Sequence, residues 1–418
     1  MTPAMIWIFL GLLALAVPVA YAMLGGVAAA LWLEGRPMAV IAQRLYTPTQ
    51  SFPMLAIPFF IWAGSLMMSG RFGVYLVNIA RLLVGRMKGG LGQVSIIGSV
   101  MFGGVSGSAV ADASALGNAL IPVQIKQGYP AGFAAAINAA SSTVSVLIPP
   151  SIPLILFGLV SNVSIIDLFI AGILPGVMLG GGMFATVWWV ARRQNLPRSP
   201  LEGGFRAFRP QIVAAIPALL MPVFIIGTLR FGVATPTEVS VMAVAYALIV
   251  SGLIYRDLTL RNLWSSAVET VMMTGAVMLI IMASSTIQWI LTAEAVPQTL
   301  TTWLTATLSE PWMVILALNV VMLIIGAFLD LPAAVLLLGP IFVTIGQAIG
   351  LDPVQLGLMM VVNLSIGLYT PPVGTTLFIS AAIARAGIGE VTRALLPFYA
   401  VAIIVLLLIS YVPALTIY

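Results

Sequence analysis

The chain has 418 residues, of which 61% are hydrophobic and 7% charged, and its formal net charge is +5. So few charges cannot cover a water-facing surface of that size, and repeated apolar runs of roughly 17–25 residues read as transmembrane helices. Histidine and cysteine are both absent, which excludes disulfides, thiolate or imidazole metal sites, and Ser-His or Cys-His nucleophile pairs.

The first apolar run, near 4–33, opens with "MTPAMIWIFLGLLALAVPVA". It lacks the basic start of a signal peptide and reads as a membrane span. A second span is predicted near 52–70. "RFGVYLVNIARLLVGRMKGG" (71–90) carries basic residues along an apolar stretch and reads as an interfacial amphipathic arm. Residues 91–126 are apolar but interrupted by "GVSGSAVADASALG" (104–117). Each flanking arm is too short to cross, which predicts a re-entrant hairpin whose tip is buried in protein or lines a wet cavity. A helix over 131–160, broken at Pro149-Pro150, and a span at 168–191 follow. Residues 192–210 hold five arginines and one glutamate; they form a cytoplasmic linker before a connector span at 211–229. "TPTE" (235–238) is a capping box starting the span at 237–255. A span at 271–293, a second interrupted hairpin over 312–349, a helix over 354–384 broken at Pro371-Pro372, and a span at 394–416 complete the chain.

The halves rhyme. Asp112 lies ten residues before Pro122 and Asp330 ten before Pro340, and a long helix with a proline pair follows each. Arg86, Lys88 and Lys126 flank the first hairpin, whereas Glu294, Glu310 and Asp352 flank the second. The positive-inside rule therefore sends the hairpins in from opposite sides. The same count places Arg256, Arg261, Arg385 and Arg393 in the cytoplasm, leaves Arg230 as a misfit outside, and predicts a cytoplasmic N-terminus and a periplasmic C-terminus. The basic residues, scattered through short loops, thus report topology and not nucleic-acid binding. The fold class is an all-α polytopic membrane protein with inverted repeats, each holding a re-entrant helical hairpin and a proline-broken transmembrane helix. The first repeat covers 1–191, the linker and connector 192–236, and the second repeat 237–418.

Inverted repeats with broken helices are the architecture of secondary transporters. Unpaired N–H groups at a helix start suit anions, and freed carbonyls suit a hard cation such as sodium. Each tip is predicted to meet a broken helix, giving one ion site per repeat. The first offers Ser106, Ser108 and Asp112; the second offers Asp330 with Thr370 and Thr375. An intramembrane carboxylate marks function by default, although Asp112 could instead cap the second arm of its hairpin. Asn138, Ser141, Ser142, Thr143, Ser151, Asn363 and Thr376 are candidates for a substrate cavity, with interhelical hydrogen bonding as the alternative. No basic residue falls within the membrane, so an acid would be held by helix starts, hydroxyls and amides.

The segments "GVSGSAVADASALG", "AASSTVSVLIPPSIPLILFG", "FGVATPTEVS", "YRDLTLR" and "NLSIGLYTPPVGTTLF" occur in the order seen in one family. From end to end the chain resembles the large membrane (M) subunit of tripartite ATP-independent periplasmic (TRAP) transporters, within the ion transporter superfamily. The resemblance implies a non-enzymatic subunit of the bacterial inner membrane that imports organic acids such as dicarboxylates or sialic acid. Sodium ions would be the coupling ions, with no other cofactor, and the hairpin domain would move like an elevator. It implies two partners, a small membrane subunit (Q) and a periplasmic substrate-binding protein (P). The family's sodium-site residues correspond here to Ser106, Ser108, Asp112 and Asp330. A stand-alone sodium-coupled anion carrier of the same superfamily is the alternative. An intramembrane enzyme using Asp112 and Asp330 as an acid/base pair is a remote one.

Overall fold

An apolar run becomes one helix or several according to where proline and glycine interrupt it. The computed structural model describes residues 1–199, 204–308 and 310–416; residues 200–203 of the expected basic linker lie outside the described residues. The first run, 4–33, is cut at Ala16 (φ 59°) and Pro18 into α1 (Thr2–Ala14) and α2 (Val19–Leu33). These pack antiparallel, with Gly26 against Met5 and Phe9 and the Met1 ammonium on Glu34. The single span expected there is therefore a hairpin of 13- and 15-residue helices, each shorter than a bilayer crossing. Met1 also pairs with Glu294 (2.7 Å), and the Thr2 amide donates to the same carboxylate (2.9 Å). The ammonium first and Thr2 second pull the Glu294 carboxyl down to about 2.

Next, α3 (Ala39–Tyr46) leads through two 3₁₀ turns to α4 (Ala56–Met68), with a bend of 68° between them. In α5 (Phe72–Val84), Phe72, Leu76, Ile79 and Ala80 are buried along one face, the pattern of the interfacial arm. The first hairpin is α6 (Gly90–Ser106) and α7 (Ala109–Lys126). The first broken helix is α8 (Ala131–Ser141), a 3₁₀ turn over Ser142–Val146, and α9 (Ile152–Ser161). The long α10 (Ile165–Arg193) returns to the arginine-rich end. Two antiparallel helices follow, α11 (Gly204–Arg230) and α12 (Pro236–Ile249, extended by a π-helical turn over Val250–Ile254). The capping box at the start of α12 is present, with Thr235 N–H on Glu238 at 2.7 Å and Glu238 N–H on Thr235 Oγ1 at 3.4 Å. Then come α13 (Leu260–Ala293) and α14 (Val296–Thr307). The second hairpin is α15 (Pro311–Gly326) and α16 (Leu331–Ala348), and the second broken helix is α17 (Pro353–Gly367) and α18 (Thr375–Ala384). α19 (Ile388–Tyr411) runs last. By length and hydropathy α16 could cross a bilayer alone. Its first residues, however, line a cavity halfway along α13, so it is a hairpin arm.

Hydrogen bonds identify the two ends of the molecule. Gly132 N–H meets Glu390 (2.9 Å), Lys88 meets Asn195 (2.8 Å) and Arg71 N–H meets Asp257 (2.7 Å) at the end holding most of the arginines. Gln355 bonds the Ile409 carbonyl (2.9 Å) and the Tyr411 hydroxyl the Trp312 carbonyl (3.0 Å) at the other. The hairpins enter from these opposite ends, as expected. Because α1 and α2 double back, Met1 shares the end of Glu294 and Glu310, opposite the side expected for it; the directions of the later helices are unaffected.

The helix starts also correct the internal register. Ser108, which precedes α7, lies 23 residues before Ala131, and Asp330, which precedes α16, lies 23 before Pro353; each proline pair begins 18 residues later. Ser108 and not Asp112 is thus the counterpart of Asp330, and the Asp-to-Pro rhyme is one helical turn out of register.

The doubled-back N-terminal hairpin has a direct check in this cysteine-free chain. A membrane-impermeant thiol reagent is expected to label Pro3→Cys and Arg36→Cys from one side and Gln194→Cys from the other. Labelling of Pro3→Cys from the Gln194 side would restore a single span.

Candidate functional site

Both hairpins turn inside the membrane, and local chemistry explains each turn. α6 stops at Gly107, whose φ of 60° favours glycine. A Cβ there would overlap the Pro150 carbonyl, so the first tip rests directly on the first break. Ser108 caps α7 by accepting the Ala111 N–H (3.4 Å), and Ser151 caps α9 by accepting the Leu154 N–H (3.3 Å). At the second tip Gly326 packs against Gly367, where a Cβ would meet the Gly326 carbonyl. Val373 N–H donates to the Ala327 carbonyl (3.2 Å), tying tip to break.

The two tips and the two breaks meet at one cavity of about 220 Å³. Three helices begin on its wall: α7 with Ala109 and Val110, α9 with Ile152 and Pro153, and α16 with Leu331 and Pro332. Ser108, Asp330 and Leu368 join them, and Met273 to Ile280 of α13 close the far side. A helix start carries free N–H groups and about half a positive charge; on this wall Ala109, Val110, Ile152 and Leu331 have an N–H and Pro153 and Pro332 have none, and starts of this kind suit an anion. A larger cavity, about 490 Å³, lies between α1 and the second hairpin, but only hydrophobic residues line it.

Beside the central cavity is a pocket of about 10 Å³ between Gly326, Leu329 and Asp330 of the second tip and Gly367 to Thr375 of the second break. That is about one water-sized sphere. The Thr375 hydroxyl is buried without a hydrogen-bond partner. A carboxylate, a hydroxyl and nearby carbonyls are the hard oxygen donors that suit a small cation. Thr370 does not line this pocket; its hydroxyl bonds the Ile366 carbonyl of its own helix (2.7 Å).

Asp112 is not a cap. It occupies the fourth position of α7 and is fully buried. Ser99 of α6 stands beside it, with its hydroxyl directed to Ser141 (3.1 Å). A buried carboxylate in a membrane is costly; Asp112 lines neither the central cavity nor the slot that holds Ser106 and Ser108. That slot, of about 210 Å³, is reached from the central cavity through Ser108, Ile152 and Met273.

The residues expected to bind substrate do something else. Asn138 donates to the Ala113 carbonyl of α7 and to Ser380 of α18, both at 2.8 Å. Thr376 donates to the Ala139 and Leu368 carbonyls (3.1 and 2.9 Å), joining the two broken helices. Asn363 donates to the Asn319 carbonyl and side chain, each at 2.9 Å. Ser142 and Thr143 bond carbonyls three residues back, and Ser151 caps α9. None of the seven lines the central cavity. Asn138, Thr376, Asn363 and Ser141 bond across helices, the interhelical alternative of the sequence reading, whereas Ser142, Thr143 and Ser151 bond within their own helices. The backbone starts at Ile152 and Leu331 went unnamed, although "PPSIP" and "DLP" signal them.

Residues 6–415 match the family described as "Tripartite ATP-independent periplasmic transporter, DctM component". An uncharacterized protein, y4mL, of Sinorhizobium fredii is 51% identical over all of both chains. The 2,3-diketo-L-gulonate TRAP transporter large permease protein YiaN of Escherichia coli is 36% identical, covering 98% of this chain and 96% of its own. Among solved structures, the Alcanivorax borkumensis YdaH transporter superposes with a TM-score of 0.63 at 15% identity, over 88% of this chain and 86% of its own. That likeness supports the fold alone.

The stitching role of Asn138 is open to measurement. Asn138→Ala removes two buried hydrogen bonds and is expected to destabilise the detergent-solubilised protein by about 1–3 kcal/mol. Val110→Ala at the cavity wall should leave the melting temperature nearly unchanged. An unshifted Asn138→Ala would return that side chain to the list of cavity residues.

Proposed function

The chain belongs to the DctM component family of tripartite ATP-independent periplasmic transporters, and from that premise we propose that it imports organic acids by coupling to sodium. The observation that carries this reading is the convergence of three helix starts on one central cavity that no lysine or arginine lines. Such a site holds a carboxylate by backbone N–H groups and dipoles. The relative YiaN, named for 2,3-diketo-L-gulonate, favours an organic acid as the cargo.

Two places fit sodium. Asp330 and Thr375 share the small pocket that touches the central cavity. Asp112 is a fully buried carboxylate beside the Ser99 hydroxyl. A cation beside either tip offsets the cost of the buried charge and strengthens the field that an anion meets at the helix starts. Coupling follows, because filling one site favours filling the other.

By the positive-inside rule the arginine-rich end faces the cytoplasm, which leaves Met1 and Tyr411 towards the periplasm. The periplasmic P protein would deliver substrate at that face, and the Q subunit would sit beside this chain in the inner membrane. The hairpins, broken helices, α10 and α19 would form the moving body against a scaffold of α1–α5 and α11–α14. Gln288 on α13 donates to the Leu336 carbonyl of α16 (2.7 Å), one of the bonds such a movement must break. An organism that encodes no P protein for this chain would favour the stand-alone carrier.

Uptake into proteoliposomes tests the reading, with P, Q and a labelled panel of succinate, sialic acid and 2,3-diketo-L-gulonate. Uptake is expected to need both P and an inward sodium gradient. Asp330→Asn and Thr375→Val should each raise the sodium concentration for half-maximal uptake by about tenfold, equivalent to ~1.4 kcal/mol. Asp112→Asn should reduce sodium dependence as well. Sodium-independent uptake in the wild type, or silence of all three substitutions, would falsify the coupling scheme.

A further inference from the structure

The slot beside the first tip runs in a definite direction. Its walls descend together from the central cavity towards the arginine-rich end: α7 from Ser108 through Ser114 to Asn118, α4 from Ile61 to Met68, and α13 from Met273 to Glu269. Four residues of the slot, Ile61, Ser108, Ile152 and Met273, are shared with the central cavity, so the two spaces are continuous. On α7, Ser114 and Asn118 are exposed to it one helical turn apart. Glu269 is the one charged side chain on its wall. The residue lies about 14 Å along α13 from Leu260. Ser65 of α4 donates to its Oε2 at 2.6 Å and fixes the carboxylate.

We propose that Glu269, held by Ser65, is an anion-repelling post on the cytoplasmic exit path, which weakens binding of the organic anion from the cytoplasmic side. The proposal rests on the organic-acid import reading above. A negative charge on the path acts on an anion in the slot but leaves the far side of the tips unaffected while the route from the periplasm is closed. Its effect is asymmetric for that reason. The charge raises the energy of an anion in the slot in both directions of travel, and it lowers occupancy from the lumen because luminal anion reaches the central cavity only through the slot. Glu269 is exposed, so salt screens its charge. The competing role is structural, with Ser65 and Glu269 merely tying α4 to α13.

Uptake driven by P added only outside the vesicles selects molecules whose cytoplasmic end faces the lumen. The experiment loads the lumen with increasing amounts of the unlabelled acid from the succinate, sialic acid and 2,3-diketo-L-gulonate panel that proves to be imported. It measures the internal concentration that halves uptake. Glu269→Gln keeps the hydrogen-bond acceptor and loses the charge. It is expected to lower that concentration about three- to tenfold with the external KM unchanged. Glu269→Asp and Ser65→Ala, which keep the charge, should stay within about twofold of wild type on that same electrostatic account. In the unmodified protein, raising luminal potassium chloride should strengthen inhibition by the internal acid; this arm does not depend on any variant folding. Equal inhibition of an active Glu269→Gln and wild type, or no effect of luminal salt, overturns the proposal and leaves the importer reading intact. Wild type that imports none of the three acids in a P-dependent manner overturns the importer reading, and the post with it.

Discussion

A backbone N–H or C=O cannot be left unpaired in hydrocarbon, and this chain ends helices in mid-membrane repeatedly. The structure meets that constraint by bringing the ends together. The first tip rests on the Pro150 carbonyl, the second on Gly326 and Gly367, and each tip is capped or tied by a side chain or amide of its own surroundings. Packing the exposed ends against one another leaves a small protected volume with polarised walls. The central cavity and the small pocket beside Asp330 are the remainder of that arrangement.

The same constraint accounts for the polar residues around the breaks. A helix that loses its backbone bonds at a proline pair needs other holdfasts, and Asn138, Thr376 and Asn363 supply them by reaching carbonyls on neighbouring helices. Asn138 and Thr376 cross between the two repeats, so the broken helices are locked to each other as well as to their own hairpins. Gln288 of α13 reaches this assembly at the Leu336 carbonyl of α16.

Much of this was legible in the sequence. The hairpins were visible because their arms are too short to cross, the breaks because of their proline pairs, and the direction of each repeat because arginine crowds one set of loops. Other features were not. The run from Met5 to Leu33 is apolar throughout, and the turn within it depends on Ala16 and Pro18, which resemble residues in many kinked spans. Asp112 and Asp330 looked equivalent because a proline follows each at ten residues, yet helix starts, not prolines, set the register. Polarity flagged Asn138 and Thr376 correctly as special but could not say which way they point. Part of the cavity wall, the backbone at the starts of α7, α9 and α16, carries no residue identity at all.

That last feature bears on how such a protein can change over generations. A guanidinium or ammonium that grips an acid can be lost by one codon change, and the grip goes with it. The proposed grip of three helix starts would survive the replacement of most of the side chains that form it, provided that the chain still turns at Gly107 and still breaks at the proline pairs. Variation at positions such as Val110, Ile152 and Ile280 can then reshape the cavity around a constant cradle. New cargoes become accessible by gradual drift, without passing through a form that holds none.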